Sequence, residues 1–308
     1  MSKPTIAVIG LGYMGTPMAR NLLREGFGVR GYDLDRARIK SLEDAGGAGG
    51  GSPAEAAKGA SFVLTMLPSS QHVRSALEGK NGAFEGLSQG GTIIQTSSIS
   101  PTVTKQLGAA AQARGFAYLD APVSRGVPAV ERGELLIMVG GAIDALERAR
   151  PMLNALGSDI VHVGDIGTAA TIKVINNLIL GITIVAASEA ITLGVKGGVK
   201  LEKMLEILSG ASGDLWVLHN LFPQAFAGDY TTRFRADLML KDLTLAEELA
   251  YDIASPTPMG SLAKNLFLSL IAQGEGAADC TSILKTFESL ANTNVHFENT
   301  PVGAGKDN

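Results

Sequence analysis

A chain of 308 residues, 45% apolar and 18% charged, has the length of two domains and enough apolar surface for a sizeable core, which excludes a disordered protein. Its formal net charge of −4 excludes recruitment of nucleic acid by bulk electrostatics. The single cysteine, Cys280, excludes an internal disulfide and a cysteine-based zinc site, and it suits a reducing cytoplasm.

Residues 1–4 run straight into an apolar segment, without the charged region, long apolar stretch and cleavage site of a secretory leader, so a cytoplasmic protein is expected. From 5 to 163, short runs rich in Val, Ile and Leu alternate with amphipathic segments, the pattern of parallel strands joined by crossover helices. Strands are predicted over 5–9, 29–32, 62–66, 92–95, 116–119, 135–139 and 159–163. Ser52-Pro53-Ala54-Glu55 reads as a capping box and Ser100-Pro101 as a second helix start, while Gly26 and Gly115 stand where helices stop. The Gly-rich stretch 46–51 reads as a flexible loop.

After Gly164 the strand signals vanish. One long helix is predicted over 168–196, roughly 40 Å at about 1.5 Å per residue, followed by helices over 201–208, 237–253, 260–273 and 281–290. The expected architecture is an α/β domain over 1–164, an all-helical domain over 165–298, and a polar tail over 299–308 that frays. The most apolar stretch, 178–187, lies between Asn177 and Ser188, short of the about 20 residues that span a bilayer, and reads as a buried helix. The run 174–195 is apolar on more than one face, which predicts a dimer or tetramer through the helical domain.

Gly10-Leu11-Gly12-Tyr13-Met14-Gly15 follows the first strand and leads into a helix. That context makes it a dinucleotide-binding turn: Gly10 for the bend, Gly12 for close approach of a pyrophosphate, Gly15 for helix-to-strand packing. Asp33 ends the second strand 23 residues after Gly10, where a carboxylate accepts hydrogen bonds from an adenosine ribose. NAD is therefore expected over NADP, although Arg30, Arg36 and Arg38 lie nearby; the alternative is that Asp33 caps the next helix.

Further segments give the chain its resemblance to the β-hydroxyacid dehydrogenase family, whose members include 3-hydroxyisobutyrate dehydrogenase and tartronate semialdehyde reductase. They are Thr65-Met66-Leu67-Pro68-Ser69, Thr96-Ser97-Ser98-Ile99-Ser100-Pro101, Asp120-Ala121-Pro122-Val123-Ser124-Arg125-Gly126, Met138-Val139-Gly140-Gly141, Lys173-Val174-Ile175-Asn176-Asn177 and Leu240-Lys241-Asp242-Leu243. The resemblance implies a Rossmann-type domain, a long interdomain helix and a helical domain. It implies that Leu67, Pro68 and Ser98 touch the cofactor, that Lys241 reaches the nicotinamide end of the site, and that the turn Ser124-Arg125-Gly126 holds the substrate carboxylate. For the serines the alternative is helix capping before Pro101; for Lys241 it is an ion pair with Asp237 or Glu247.

Lys173 stands early in an otherwise apolar helix, with Asn177 four residues on along the same face. Oxidising an alcohol needs a base for the hydroxyl proton and the reverse needs an acid; the family match makes Lys173 that group, its amine lowered towards about 7 to 8 by burial in an interdomain cleft near a cationic nicotinamide. Asn177 is expected to orient the lysine or the substrate. The family usually has Ser-Gly-Gly where this chain has Ser124-Arg125-Gly126. The sulfolactaldehyde reductase branch is similar in carrying an arginine here, and a guanidinium clamps carboxylate, sulfonate or phosphate, so a small 3-hydroxy acid with a strongly anionic head is expected. The alternative pairs Arg125 with Glu131 or Glu134. Imine reductases and a catalytically silent scaffold of the same architecture are the rivals, and the family lysine argues against both. Trp216 and Phe234 are candidates to roof the cleft, or core.

Overall fold

The computed structural model describes residues 3–297, so the tail expected over 299–308 lies outside the described residues. The chain divides into two compact units, Met1–Lys173 and Val174–Asn308. The division falls inside the long helix Thr168–Lys196, whereas the expected boundary between 164 and 165 lies just before that helix begins.

The first unit is built on nine strands: β1 (Thr5–Ile9), β2 (Gly28–Tyr32), β3 (Ala48–Gly49), β4 (Phe62–Thr65), β5 (Thr92–Gln95), β6 (Ala117–Asp120), β7 (Val123–Ser124), β8 (Leu135–Gly140) and β9 (Gly157–Gly164). Their order is β3-β2-β1-β4-β5-β6-β8-β7, with β9 on β8. From β3 to β6 all pairings are parallel, and the strand order reverses at β1 and β4, which opens a crevice at their carboxyl ends. Ile6, Val8, Val63, Leu64, Ile93 and Ile94 are wholly buried, as strands covered on both faces must be.

Two short strands escape the sequence reading. β3 lies inside the Gly-rich stretch read as a loop, where Ala48 and Gly49 pair with Arg30 and Gly31. β7 pairs antiparallel with β8, and β8 is antiparallel to β6. The sheet is thus parallel only in part, because between β6 and β8 the chain turns back through β7 and the helix Gly126–Arg132.

In the second unit the long helix packs with helices Leu201–Leu208, Ala236–Asp252, Pro258–Ala272 and Ile283–Ala291. Two five-residue helices, Trp216–Asn220 and Phe222–Phe226, are too short to show periodicity. Phe222, Phe226 and Phe267 are fully buried beside Ile184, Ile191 and Met239. Phe234 packs against this core, whereas Trp216 is exposed.

The reading of a short buried apolar run needs correction. The helix has 29 residues, mean hydropathy 2.0 over its most apolar 18, and so the length and composition to cross a membrane; 39% of that window is buried. Val174, Ile184, Val185, Ala187 and Ile191 face the chain's own core, while Ile175, Ile179 and Leu193 are exposed.

Candidate active site

The turn after β1 is shaped by its glycines. Gly10 has φ +96° and donates its N–H to the Tyr32 carbonyl at 2.9 Å. A Cβ there would lie 2.2 Å from the Met66 carbonyl oxygen, and one on Gly15 would lie 1.8 Å from that of Gly10. A side chain at either position has no room, so turn, helix Gly15–Arg24 and the end of β4 are locked together. At Gly12, in contrast, a Cβ meets only Arg38 Nη1, at 3.5 Å. The main chain at Gly12 is therefore open to a ligand, and Tyr13 is 81% exposed beside it. A groove of about 600 Å³ adjoins this turn, lined among others by Leu11, Gly12, Tyr13, Arg20, Arg38 and Glu131.

Asp33 accepts the Leu11 N–H through Oδ2 at 2.7 Å and the Asp35 N–H through Oδ1 at 2.9 Å. The helix cap is Asp35, which accepts the Ala37 N–H at 2.9 Å. The alternative left open for Asp33 is thereby resolved against capping, and its carboxylate stands at the glycine turn. Of the neighbouring arginines, Arg30 donates to the Lys58 carbonyl at 2.7 Å, and Arg38 lies 3.5 Å from Asp33 and 3.4 Å from Asp35. An open glycine between two closed ones, with a carboxylate held against the turn, fits a dinucleotide.

The loops after β4 and β5 join the same sheet edge. Met66 N–H donates to the Ile9 carbonyl at 2.9 Å, and Leu67 N–H donates to Ser97 Oγ at 2.8 Å. Ser100 caps helix Pro101–Gln112 by accepting the Val103 N–H. Among the serines, then, Ser97 links the two loops and Ser100 caps; Ser98 is half-buried between them. Leu67, Pro68 and Ser98 lie on loops beside the glycine turn.

β6 ends at Asp120, wholly buried. Its Oδ2 accepts the Ala170 N–H in the first turn of the long helix at 2.9 Å. Burial pushes its carboxyl up to about 6, against backbone N–H groups of Ala170, Gly167, Asp120 and Ala169 that favour the anion. Four residues on is Ser124, then Arg125 in the left-handed conformation, φ +84°. The Arg125 guanidinium donates to Asp159 Oδ2 at 2.6 Å, Ser158 Oγ at 3.1 Å and the Glu134 carbonyl at 3.0 Å. Neither the anticipated Glu131 nor the Glu134 carboxylate is its partner; Glu134 takes Arg132 instead, at 2.6 Å.

Lys173 is half-buried, one turn before Asn177 on the long helix. Asn177 is 3% exposed; its Nδ2 donates to Asp242 Oδ2 at 2.5 Å, and its Oδ1 accepts from Asn176 at 2.9 Å. Lys241 Nζ lies 3.0 Å from Asp242 Oδ1, an ion pair. Of the carboxylates foreseen for Lys241, Asp237 binds Arg235 and Glu247 binds Lys264. Asp120 and Asp242 are the residues that sequence reasoning missed as site candidates. Both stand within segments already singled out, and a buried carboxylate demands a partner.

Strand order, glycine turn and Asp33 define a dinucleotide-binding domain of the Rossmann type. Two family models match: the NAD binding domain of 6-phosphogluconate dehydrogenase over residues 5–164, and the NAD-binding domain of NADP-dependent 3-hydroxyisobutyrate dehydrogenase over 167–287. The chain is 40% identical to an NAD-dependent L-serine dehydrogenase of Pseudomonas aeruginosa, over 92% of this chain and 97% of that protein. It is 39% identical to a 3-hydroxyisobutyrate dehydrogenase of the same organism, over 92% and 98%. A solved 3-hydroxyisobutyrate dehydrogenase of Mycobacterium tuberculosis, with L-serine, superposes with TM-score 0.87 at 32% identity, covering 92% of this chain and 99% of that one. The chain belongs to the β-hydroxyacid dehydrogenase family and is an NAD(P)-dependent hydroxyacid oxidoreductase. An imine reductase of Myxococcus stipitatus, TM-score 0.63 at 19% identity, shares the fold alone.

Proposed function

We propose that this enzyme uses NAD to oxidise small 3-hydroxy acids of the hydroxymethyl type, with Lys173 as the proton-transfer residue. The observation that carries the substrate class is chemical. L-serine, 3-hydroxyisobutyrate and 2-(hydroxymethyl)glutarate, named for relatives 36% to 40% identical, all bear a primary alcohol one carbon removed from a carboxylate-bearing carbon. NAD is favoured over NADP because the Asp33 carboxylate at the glycine turn would repel a 2′-phosphate, with Arg30 engaged elsewhere and Arg38 shared between Asp33 and Asp35.

Gly10, Leu11, Gly12, Tyr13, Met14 and Gly15, with Asp33, Leu67, Pro68 and Ser98, would hold the dinucleotide. When bound, it supplies a nicotinamide that exchanges hydride with the carbinol carbon. The Lys173 amine takes the hydroxyl proton during oxidation and its ammonium returns one during reduction. Asn177, aimed by Asp242, orients the substrate, and Lys241 serves the nicotinamide end. Ser124 and Gly126 hold the carboxylate. Arg125 recruits a second anionic group only by leaving Asp159, a half-exposed pair of the kind that contributes about 1 kcal/mol or less.

The test is a screen of purified protein with NAD and NADP against L-serine, 3-hydroxyisobutyrate, 2-(hydroxymethyl)glutarate, glycerate, 4-hydroxybutyrate and sulfolactate. Turnover of the hydroxymethyl acids with NAD is expected; preference for 4-hydroxybutyrate, or for NADP, contradicts the reading. The exposed Ile175, Ile179 and Leu193 of the long helix support assembly with a second copy of the chain, and a monomer mass by light scattering at micromolar concentration contradicts that. A cytoplasmic setting rests on the sequence alone.

A further inference from the structure

We propose that Asp120 is a positioning residue for the reaction, its carboxylate joining the root of the turn Ser124-Arg125-Gly126 to the first turn of the helix that carries Lys173. The inference rests on the proton-transfer reading of Lys173. Asp120 ends β6 four residues before Ser124, and its Oδ2 accepts the N–H of Ala170, three residues before Lys173. The backbone N–H groups of Gly167 and Ala169 also favour its anion. An N-terminal helix turn has donors without helical acceptors, and here the acceptor comes from 50 residues away. That distance in sequence makes the contact a tether between elements rather than a local cap.

The strand alongside leaves space for it. A Cβ on Gly140 would lie 2.3 Å from Asp120 Oδ1 and 2.6 Å from the Asp165 carbonyl, so β8 meets the carboxylate at a residue without a side chain. Oδ1 is buried and has no hydrogen-bond partner among the described residues. The carboxyl thus carries the cost of an unsatisfied oxygen and a burial that disfavours its anion, where an apolar residue would avoid both. The return is a fixed origin for the helix: a shift in its first turn displaces the Lys173 amine, and displacements of about 1 Å cost about 100-fold in rate when proton donor and acceptor must meet.

Two variants cut the tether from opposite ends. Asp120→Ala removes the acceptor; Ala170→Pro removes the donor at a first-turn position where proline is tolerated. Each is expected to lower kcat for 3-hydroxyisobutyrate by about 10- to 100-fold, with NAD affinity, read by fluorescence titration, within about twofold of wild type. Asp120→Asn keeps an oxygen for the Ala170 N–H and is expected to restore most of kcat, a rescue that a loss of folding stability alone would not show. Lys173→Ala, measured alongside, separates the two readings. If it is inactive while either tether variant has wild-type kcat and KM, the Asp120 proposal is overturned; if Lys173→Ala itself is active, the proton-transfer reading fails first.

Discussion

In the N-terminal unit the glycine turn is held by main chain on main chain, with Gly10 pressed against Met66 and Gly15 against Gly10. In the helical unit Asn177 takes its direction from side chains, Asp242 on one side and Asn176 on the other. This cradle tolerates no added atom at Gly10 or Gly15, and its one carboxylate contact is Asp33 on the Leu11 N–H. A side-chain network tolerates small changes in shape but depends on charge. Substitutions in the two regions therefore fail in different ways, and that difference can be measured.

The largest effect belongs to Lys173→Ala, expected to reduce kcat by about 100- to 10,000-fold, the range of general acid–base contributions, with NAD affinity unchanged. Gly15→Ala comes next. Its Cβ meets backbone at 1.8 Å, so the turn must move, and NAD binding is expected to weaken at least tenfold; Gly12→Ala, facing only Arg38 Nη1 at 3.5 Å, leaves the fold of the turn intact. Equal thermal stabilities for these two variants would refute the backbone account of the cradle. Asp242→Ala leaves the buried Asn177 amide unpaired, a loss of about 1 to 3 kcal/mol, and is expected to raise KM for the hydroxy acid while NAD affinity holds.

Asp120 sharpens the comparison through pH. Its folded carboxyl titrates at about 6, against an ordinary 3.8, so between these values the folded chain binds the extra proton. Stability from this group is fully present below about pH 4 and is lost as pH rises through about 6, by roughly 3 kcal/mol. Asp120→Asn removes that dependence, so its stability relative to wild type, from urea unfolding, is expected to climb by that order between pH 4 and 7; parallel curves would contradict it. The smallest effect is Arg125→Gly, expected to raise KM for 2-(hydroxymethyl)glutarate severalfold and leave L-serine unchanged.

The geometry of the glycine turn was legible in the sequence because its information is local. Gly10, Gly12, Gly15 and Asp33 lie within one βαβ unit, and each does its work through φ, the absence of Cβ or a neighbouring N–H. The side-chain contacts were not legible, because their partners are distant: Asp120 with Ala170, 50 residues apart; Asn177 with Asp242, 65 apart; Arg125 with Asp159, 34 apart. No spacing rule reaches across such intervals. The two-residue strands β3 and β7 carry too few positions to alternate, and the choice of Asp35 over Asp33 as helix cap turned on one hydrogen bond.

Chemical rescue tests the role of the amine most directly. Lys173→Ala, saturated with NAD and a hydroxymethyl acid, is expected to regain turnover as methylamine is added, in proportion to its free-base form as pH rises. Wild-type turnover without added amine would show that another group moves the proton.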